Sequence, residues 1–224
     1  MQTKRLAAYT IRGLHDHLEK LIPPNVSQNA KILDIGCGTG AWLDRLANAG
    51  FYNLHGIDKD IQNFATQKAS CSQINLDVDD LGLGNQRFDL ITCIEVVEHL
   101  ENPGHLFHHV MKLLETNGYF LLTTPNLHSL ICKLRFLLTG NLRDFDNKGN
   151  PTHIYPVFMM PLERILENHH LTIVDKSTYP SKTSITSRAS LKFVSSLLSL
   201  VLKDELPGDT LCLLIQKSKG VLDL

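Results

Sequence analysis

KILDIGCGTG, residues 31–40, is the stretch on which the fold turns. Lys31 to Ile35 form a short apolar run of strand type, and Gly36, Gly38 and Gly40 follow at alternate positions. Glycines there let the backbone turn tightly and approach a ligand closely. AWLDRLANAG (41–50) then reads as a helix closed by Gly50, so its first N–H groups would face that ligand. Dinucleotide enzymes use a similar turn, so the turn alone leaves the ligand open.

The same rhythm continues outward from this stretch. NLHGID (53–58), SQINLD (72–77), RFDLITCI (87–94) and GYFLLTTP (118–125) read as further strands. Helical stretches are expected around 60–69 and over 103–115, the latter ending at Asn117-Gly118. Strands alternating with helices specify an α/β, doubly wound parallel sheet whose ligands lie at the carboxyl ends of the strands. Before it, Leu6, Ile11, Leu14, Leu18 and Leu21 recur at helical spacing until Pro23-Pro24, giving an N-terminal helical cover over 1–25. After Pro125 the rhythm breaks into a segment rich in Asn, Gly, Asp and His, read as a lid or substrate insertion over 126–160. PLERILENHH (161–170) reads as a helix, and LTIVDK (171–176) and DTLCLLIQK (209–217) as the last strands. Between these strands the spacing predicts an amphipathic helix over 185–204, its apolar face carrying Leu191, Val194, Leu197, Leu198, Val201 and Leu202. That face either covers the sheet or a partner copy in a homodimer, or docks on a membrane or a lipid-like substrate. The whole chain, 1–224, reads as a single domain.

Composition narrows the function. The 224 residues are 43% hydrophobic and 20% charged, an ordinary globular balance. Lys and Arg number 22 against 23 acids, so nucleic acid is disfavoured as a partner. The five cysteines form no CxxC pair, which argues against a disulfide framework or zinc knuckle and fits a reducing cytoplasm. The first residues lack the apolar core of a secretory signal, and no apolar run reaches the roughly 18 residues of a transmembrane segment.

Asp34 precedes the glycine turn, Asp58 ends the second strand, and Asp77 ends the third. LDIGCGTG, GID, NLDVDD, FDLITCIEVVEHLENP, GYFLLTTPN and THIYP, in this order, resemble the class I S-adenosylmethionine-dependent methyltransferases over roughly residues 30–175. Within that class the chain looks most like the branch holding ubiquinone-biosynthesis O-methyltransferases and enzymes of polysaccharide and natural-product pathways. The resemblance implies a Rossmann-like, mostly parallel seven-stranded sheet with its last strand antiparallel and a lid inserted after strand five. It also implies S-adenosylmethionine as cofactor, held by Asp34, Gly36, Cys37, Gly38 and Gly40 at the methionyl part. Asp58 and Lys59 would serve the ribose, Asp77 and Val78 the adenine, and Glu95 would stand near the sulfonium. Asp34 and Asp77 also make ordinary caps or turn residues.

Glu95, Glu98 and His99 in CIEVVEHLENP (93–103) would share one face of a helix. Two carboxylates and an imidazole can hold Mg²⁺, Mn²⁺ or Zn²⁺ if another ligand arrives from elsewhere. His153 in PTHIYP is the first candidate for it and His128 the second. Without a metal, His99 or His153 would act as a general base, with Glu98 orienting His99. A purely structural reading makes the two Glu early-helix acids favoured by the macrodipole. His105, His108, His109, His169 and His170 are expected at the solvated surface, as are Arg135, Arg143 and Lys148, which otherwise suit an anionic substrate group. The resemblance also implies that the first helix closes over the site, which would bring Tyr9 and His15 to it.

The leading expectation is methyl transfer to a hydroxyl of a small acceptor, a sugar, quinol-like or other biosynthetic intermediate, possessing an apolar or lipid-linked part in one version. The alternative is RNA ribose 2′-O-methylation: the Glu-x-x-Glu-His run resembles the small-RNA 3′-end methyltransferases, although their longer His-rich, aromatic segment is missing here. A third reading is a non-catalytic cofactor-binding partner protein.

Overall fold

The computed structural model describes residues 6–181 and 206–218. The expected helix over 185–204 lies outside them. The elements run α1 (Leu14–Leu21), β1 (Lys31–Ile35), α2 (Ala41–Asn48), β2 (Asn53–Asp58), β3 (Ser70–Gln73) and β4 (Phe88–Ile94). A 3₁₀ turn (Val97–His99) follows, then α3 (Pro103–Leu113), β5 (Leu114–Pro125), α4 (Leu130–Thr139), α5 (Met159–Asn168), β6 (Leu171–Tyr179) and β7 (Thr210–Lys217).

The strands form a seven-stranded sheet in the order β3-β2-β1-β4-β5-β7-β6. All pairings from β3 to β5 are parallel, and β7 is antiparallel to both β5 and β6. The expected seven-stranded, doubly wound architecture with an antiparallel last strand is therefore present. Strand order reverses between β1 and β4, so a crevice opens beyond the carboxyl ends of those two strands.

Successive strand residues point to opposite faces, and both faces are covered. Leu33 and Ile35 of β1 pack with Phe107 and Val110 of α3, while Ile32 packs on the other face with Leu14, Leu18, Trp42 and Leu46. In β5, Phe120 and Leu122 join the first cluster and Leu121 the second. This explains why these strands read as continuous apolar runs.

Four local expectations need correction. No helix forms over 60–69, because side chains there bind nearby backbone amides: Asp58 accepts from Asp60 N (3.0 Å), Asp60 from Gln62 N (2.9 Å) and Thr66 from Lys68 N (3.2 Å). Such local bonds compete directly with a helix. The third strand occupies 70–73 rather than 72–77, because Asn75 and Asp79 close the following residues into turns. The first helix begins only at Leu14, after a left-handed Gly13. The 126–160 segment, read as a long loop-like insertion, contains α4, capped by Ser129 Oγ, which accepts from Cys132 N (3.3 Å), and ended by Gly140 at φ 68°.

Candidate active site

At the end of β1, Gly36, Gly38 and Gly40 all adopt left-handed φ (73°, 51° and 78°), a region costing other residues roughly 1–2 kcal/mol. The turn is braced from β2: Gly36 N and Cys37 N donate to Ile57 O (2.8 and 3.1 Å), and Gly38 N donates to an Asp58 carboxylate oxygen (2.8 Å). It borders a cavity of about 500 Å³. Asp34, Gly36, Cys37, Gly38, Asp58, Lys59, Asp77, Glu95 and His99 line that cavity, joined by Tyr9 and His15 from the N-terminal segment. The resemblance-based cofactor set thus converges on one crevice, with two exceptions. Gly40 is not in the wall; a Cβ there would meet Thr66 at 2.6 Å and Phe64 at 2.8 Å, so its contribution is close packing. Val78 is 73% exposed and also off the cavity.

The acids in the wall differ in surroundings. Asp58 receives Gly38 N and Asp60 N on separate oxygens, and each oxygen retains acceptor capacity. Asp77 accepts from Asn102 N (2.9 Å), tying the loop after β3 to the start of α3. Asp34 is buried and accepts from Thr92 Oγ1 (2.7 Å); burial pushes its pKa up to about 7 against that hydrogen bond. His15 is held neutral, its pKa lowered to about 4 by burial and then by the Arg45 charge.

Glu95, Glu98 and His99 do not share a helix face. Glu95 sits at φ 55°, an unusual region for a non-glycine residue, and only Val97–His99 form a 3₁₀ turn. The bend separates them. Glu95 turns into the cavity, where its N–H donates to Thr123 Oγ1 (3.0 Å) and its carboxylate accepts from that hydroxyl (3.1 Å). Glu98 is fully buried, and neither carboxylate oxygen has a hydrogen-bond partner; Thr124 lies near enough to ease its pKa but misses hydrogen-bond geometry. Burial raises both carboxyls, and Glu95 raises Glu98 further.

His153 arrives beside this turn. The Glu98 carbonyl accepts from Ile154 N (2.8 Å) and Tyr155 N (3.0 Å), which docks the THIYP segment directly on the 3₁₀ turn. Glu98, His99 and His153 each offer a ligand atom, all within 4.8 Å of one another, and the two imidazoles stand edge to face at 4.7 Å. Glu95 is outside this cluster. His99 Nδ1 faces Thr152 O (3.1 Å) and His153 Nδ1 faces Asp144 O (3.0 Å). A carbonyl only accepts, so His153 Nδ1 carries the hydrogen of its bond. His99 Nδ1 also meets Thr152 Oγ1 (2.9 Å), a hydroxyl whose own hydrogen goes to Asn150 Oδ1 (2.8 Å), so it too is a donor. In the neutral ring His99 Nε2 therefore keeps its lone pair. Burial and then the neighbouring His153 lower the His99 pKa, favouring the neutral ring.

Several other expectations change. His128 Nε2 accepts from Met159 N (3.2 Å) at the start of α5, so it serves that helix rather than the cluster. His109 is buried and bonds His105 (2.9 Å), whose other nitrogen meets Leu76 O (2.8 Å); neither is a solvated surface group. Arg143 is not a surface charge: it pairs with buried Asp209 at 2.7 Å, and Arg135 pairs with Asp146. Thr123, Thr152, Asp144 and Asp209 were missed in the sequence. Only Thr123 carried a signal, as a polar residue at the end of an apolar strand beside Glu95.

The chain is similar to known proteins in both sequence and fold. It is 27% identical over 144 residues to a ubiquinone biosynthesis O-methyltransferase of Hydrogenovibrio crunogenus, a match covering 61% of this chain and 58% of that protein. The match therefore takes in less than two-thirds of the relative's length. Among solved structures, an S-adenosylmethionine-dependent methyltransferase from Archaeoglobus fulgidus shares the fold at TM-score 0.63 and 20% identity, covering 91% of this chain and 93% of that one. The [4+2]-cyclase SpnF shares it too, at TM-score 0.61 and 14% identity, covering 98% and 86%, so the fold alone leaves the reaction open. Residues 6–176 match the methyltransferase-domain family, and with the glycine turn, the braced Asp58 and the switch-point crevice in place, the chain belongs to the class I S-adenosylmethionine-dependent methyltransferases.

Proposed function

We propose that this methyltransferase acts on a hydroxyl of a small biosynthetic intermediate. The observation that carries the reading is the Glu98–His99–His153 cluster beside the cavity. The cofactor, when bound, supplies an electrophilic methyl group already attached to its leaving group. A hydroxyl acceptor must instead be aligned and relieved of its proton. His99 lines the cavity and has a neutral ring with Nε2 free, which suits it to take that proton. His153, held by Asp144 O, shares the task or orients its neighbour.

For the cofactor, the glycine turn with Asp34 and Cys37 would hold the methionyl end, Asp58 and Lys59 the ribose, and the loop through Asp77 the adenine. Glu95 would face the sulfonium from its Thr123-braced position. The same cluster also fits a divalent cation. A fully buried carboxylate without a donor, facing two imidazoles, is a donor set for Mg²⁺, Mn²⁺ or Zn²⁺. Glu98, His99 and His153 would hold the ion, whose chemistry would be to lower the acceptor hydroxyl's pKa.

The curated relatives are named for O-methyl transfer in ubiquinone biosynthesis, which supports an oxygen acceptor. Phe136, Leu137 and Leu138 stand exposed on α4, in the segment between β5 and α5, and suit an acceptor with an apolar or lipid-linked part. The test is methyl transfer to a panel of phenolic, catecholic and sugar hydroxyls and of matched amines, before and after dialysis against a chelator. Product on oxygen alone is expected; transfer confined to amines would sink the proposal. Chelator-sensitive turnover restored by one added metal selects the metal-bound form of the cluster, and indifference selects the free base.

A further inference from the structure

Cys37 and Cys71 lie far apart in sequence, yet their sulfurs are 3.3 Å apart, both as free thiols. Cys37 sits within the glycine turn and lines the cavity; Cys71 lies on the edge strand β3 and is half-buried. The intervening strand β2 lets them meet because its residue opposite Cys71 is Gly56. A Cβ on Gly56 would stand 2.6 Å from Cys37 Sγ and 2.9 Å from Cys37 Cβ, so any larger residue would push Cys37 from its place. A disulfide needs sulfurs about 2.05 Å apart, so the pair must close by little more than one ångström.

We propose that Cys37 and Cys71 form a redox modification site, in which a peroxide-class oxidant joins them as a disulfide that displaces the cofactor turn and weakens cofactor binding. Cys71, the more accessible, loses its proton and attacks the peroxide oxygen; the O–O bond breaks, leaving a sulfenic acid and one water. Cys37 then attacks that sulfur and gives up its own proton; the S–O bond breaks and a second water leaves. In sum, two thiols and one peroxide give one disulfide and two waters, the sulfurs oxidised and the peroxide reduced. Burial pushes both thiols up, so the reaction quickens as pH rises. The displacement matters because Cys37 N, Gly36 N and Gly38 N are all bonded to β2, and pulling Cys37 toward β3 strains each of those bonds.

The experiment treats the full chain with hydrogen peroxide at mildly alkaline pH, with and without S-adenosylhomocysteine. Remaining thiols are then alkylated, the protein is digested without reductant, and peptides are read by mass spectrometry. A Cys37–Cys71 linked peptide is expected, together with a fall in S-adenosylhomocysteine affinity of about tenfold or more, equivalent to about 1.4 kcal/mol, reversed by dithiothreitol. Bound S-adenosylhomocysteine should slow the linkage. Cys71→Ser should form no such peptide and keep its affinity after peroxide, and Cys71→Ala provides the same comparison if the serine variant folds poorly. Separately alkylated or over-oxidised Cys37 and Cys71 overturn the proposal, as does a linked protein that binds undiminished, or affinity loss in the Cys71 variants.

Discussion

The two walls of the crevice are built by different means. On the β1–β2 side, short-range backbone geometry does most of the work: left-handed glycines, amides bonded to Ile57 O, and Asp58 gripping the turn it faces. On the β4–β5 side, side chains from three distant segments are brought together: Glu98 and His99, then His153, then the Asp209 that anchors Arg143 beside Asp144. The first wall is an arrangement a short motif can encode. The second exists only after the chain has folded.

The sharpest way to break this comparison is to remove chemistry from the second wall alone. His99→Ala should lower kcat by roughly 10²–10⁴, the usual worth of a positioned acid/base group, with a far smaller change in cofactor affinity. Measuring both by steady-state kinetics and calorimetry decides it; equal losses would mean that the walls are not separable.

Next in size is the clasp. Arg143→Ala removes the guanidinium that pairs with Asp209 and Asp144 and should cost roughly 1–3 kcal/mol of stability, read by denaturant unfolding. Because Asp144 O holds His153, turnover should fall beyond what the stability loss explains at low temperature. Arg143→Lys should restore part of both.

The first wall can be probed by pH. The Asp34 pKa stands near 7 in the folded chain against 3.8 for the free group, so the folded state holds the extra proton between those values. Its contribution is complete below pH 3.8 and is lost as pH rises through 7. Without cofactor, Asp34→Asn should therefore gain stability relative to the parent across that window, by about 1.4 kcal/mol per pH unit at most. Parallel stability profiles would refute the burial argument. Smallest of all, Val78→Ala should change stability by under about 0.5 kcal/mol and leave cofactor affinity intact, since the exposed side chain is off the cavity.

Legibility follows the same division. The glycine turn, Asp58, the strand alternation and β7 could be read because each is a local pattern with a local cause. The 60–69 stretch misled because the alternation of strands with helices suggested a helix there, while Asp58, Asp60 and Thr66 were already committed to neighbouring amides. Asp209 and Cys71 gave no sign, because their meaning lies in partners 66 and 34 positions away.

By itself the sequence determined the doubly wound α/β class, the location of the cofactor crevice and the suspicion attached to EVVEH, since periodicity and glycine sterics act over a few residues. Tertiary structure alone decided that Glu95 parts from Glu98 at a strained bend, that His153 completes the cluster, and that two scattered cysteines touch. Those outcomes depend on strand order and on which loop docks over the switch point, and no short window of sequence carries that information.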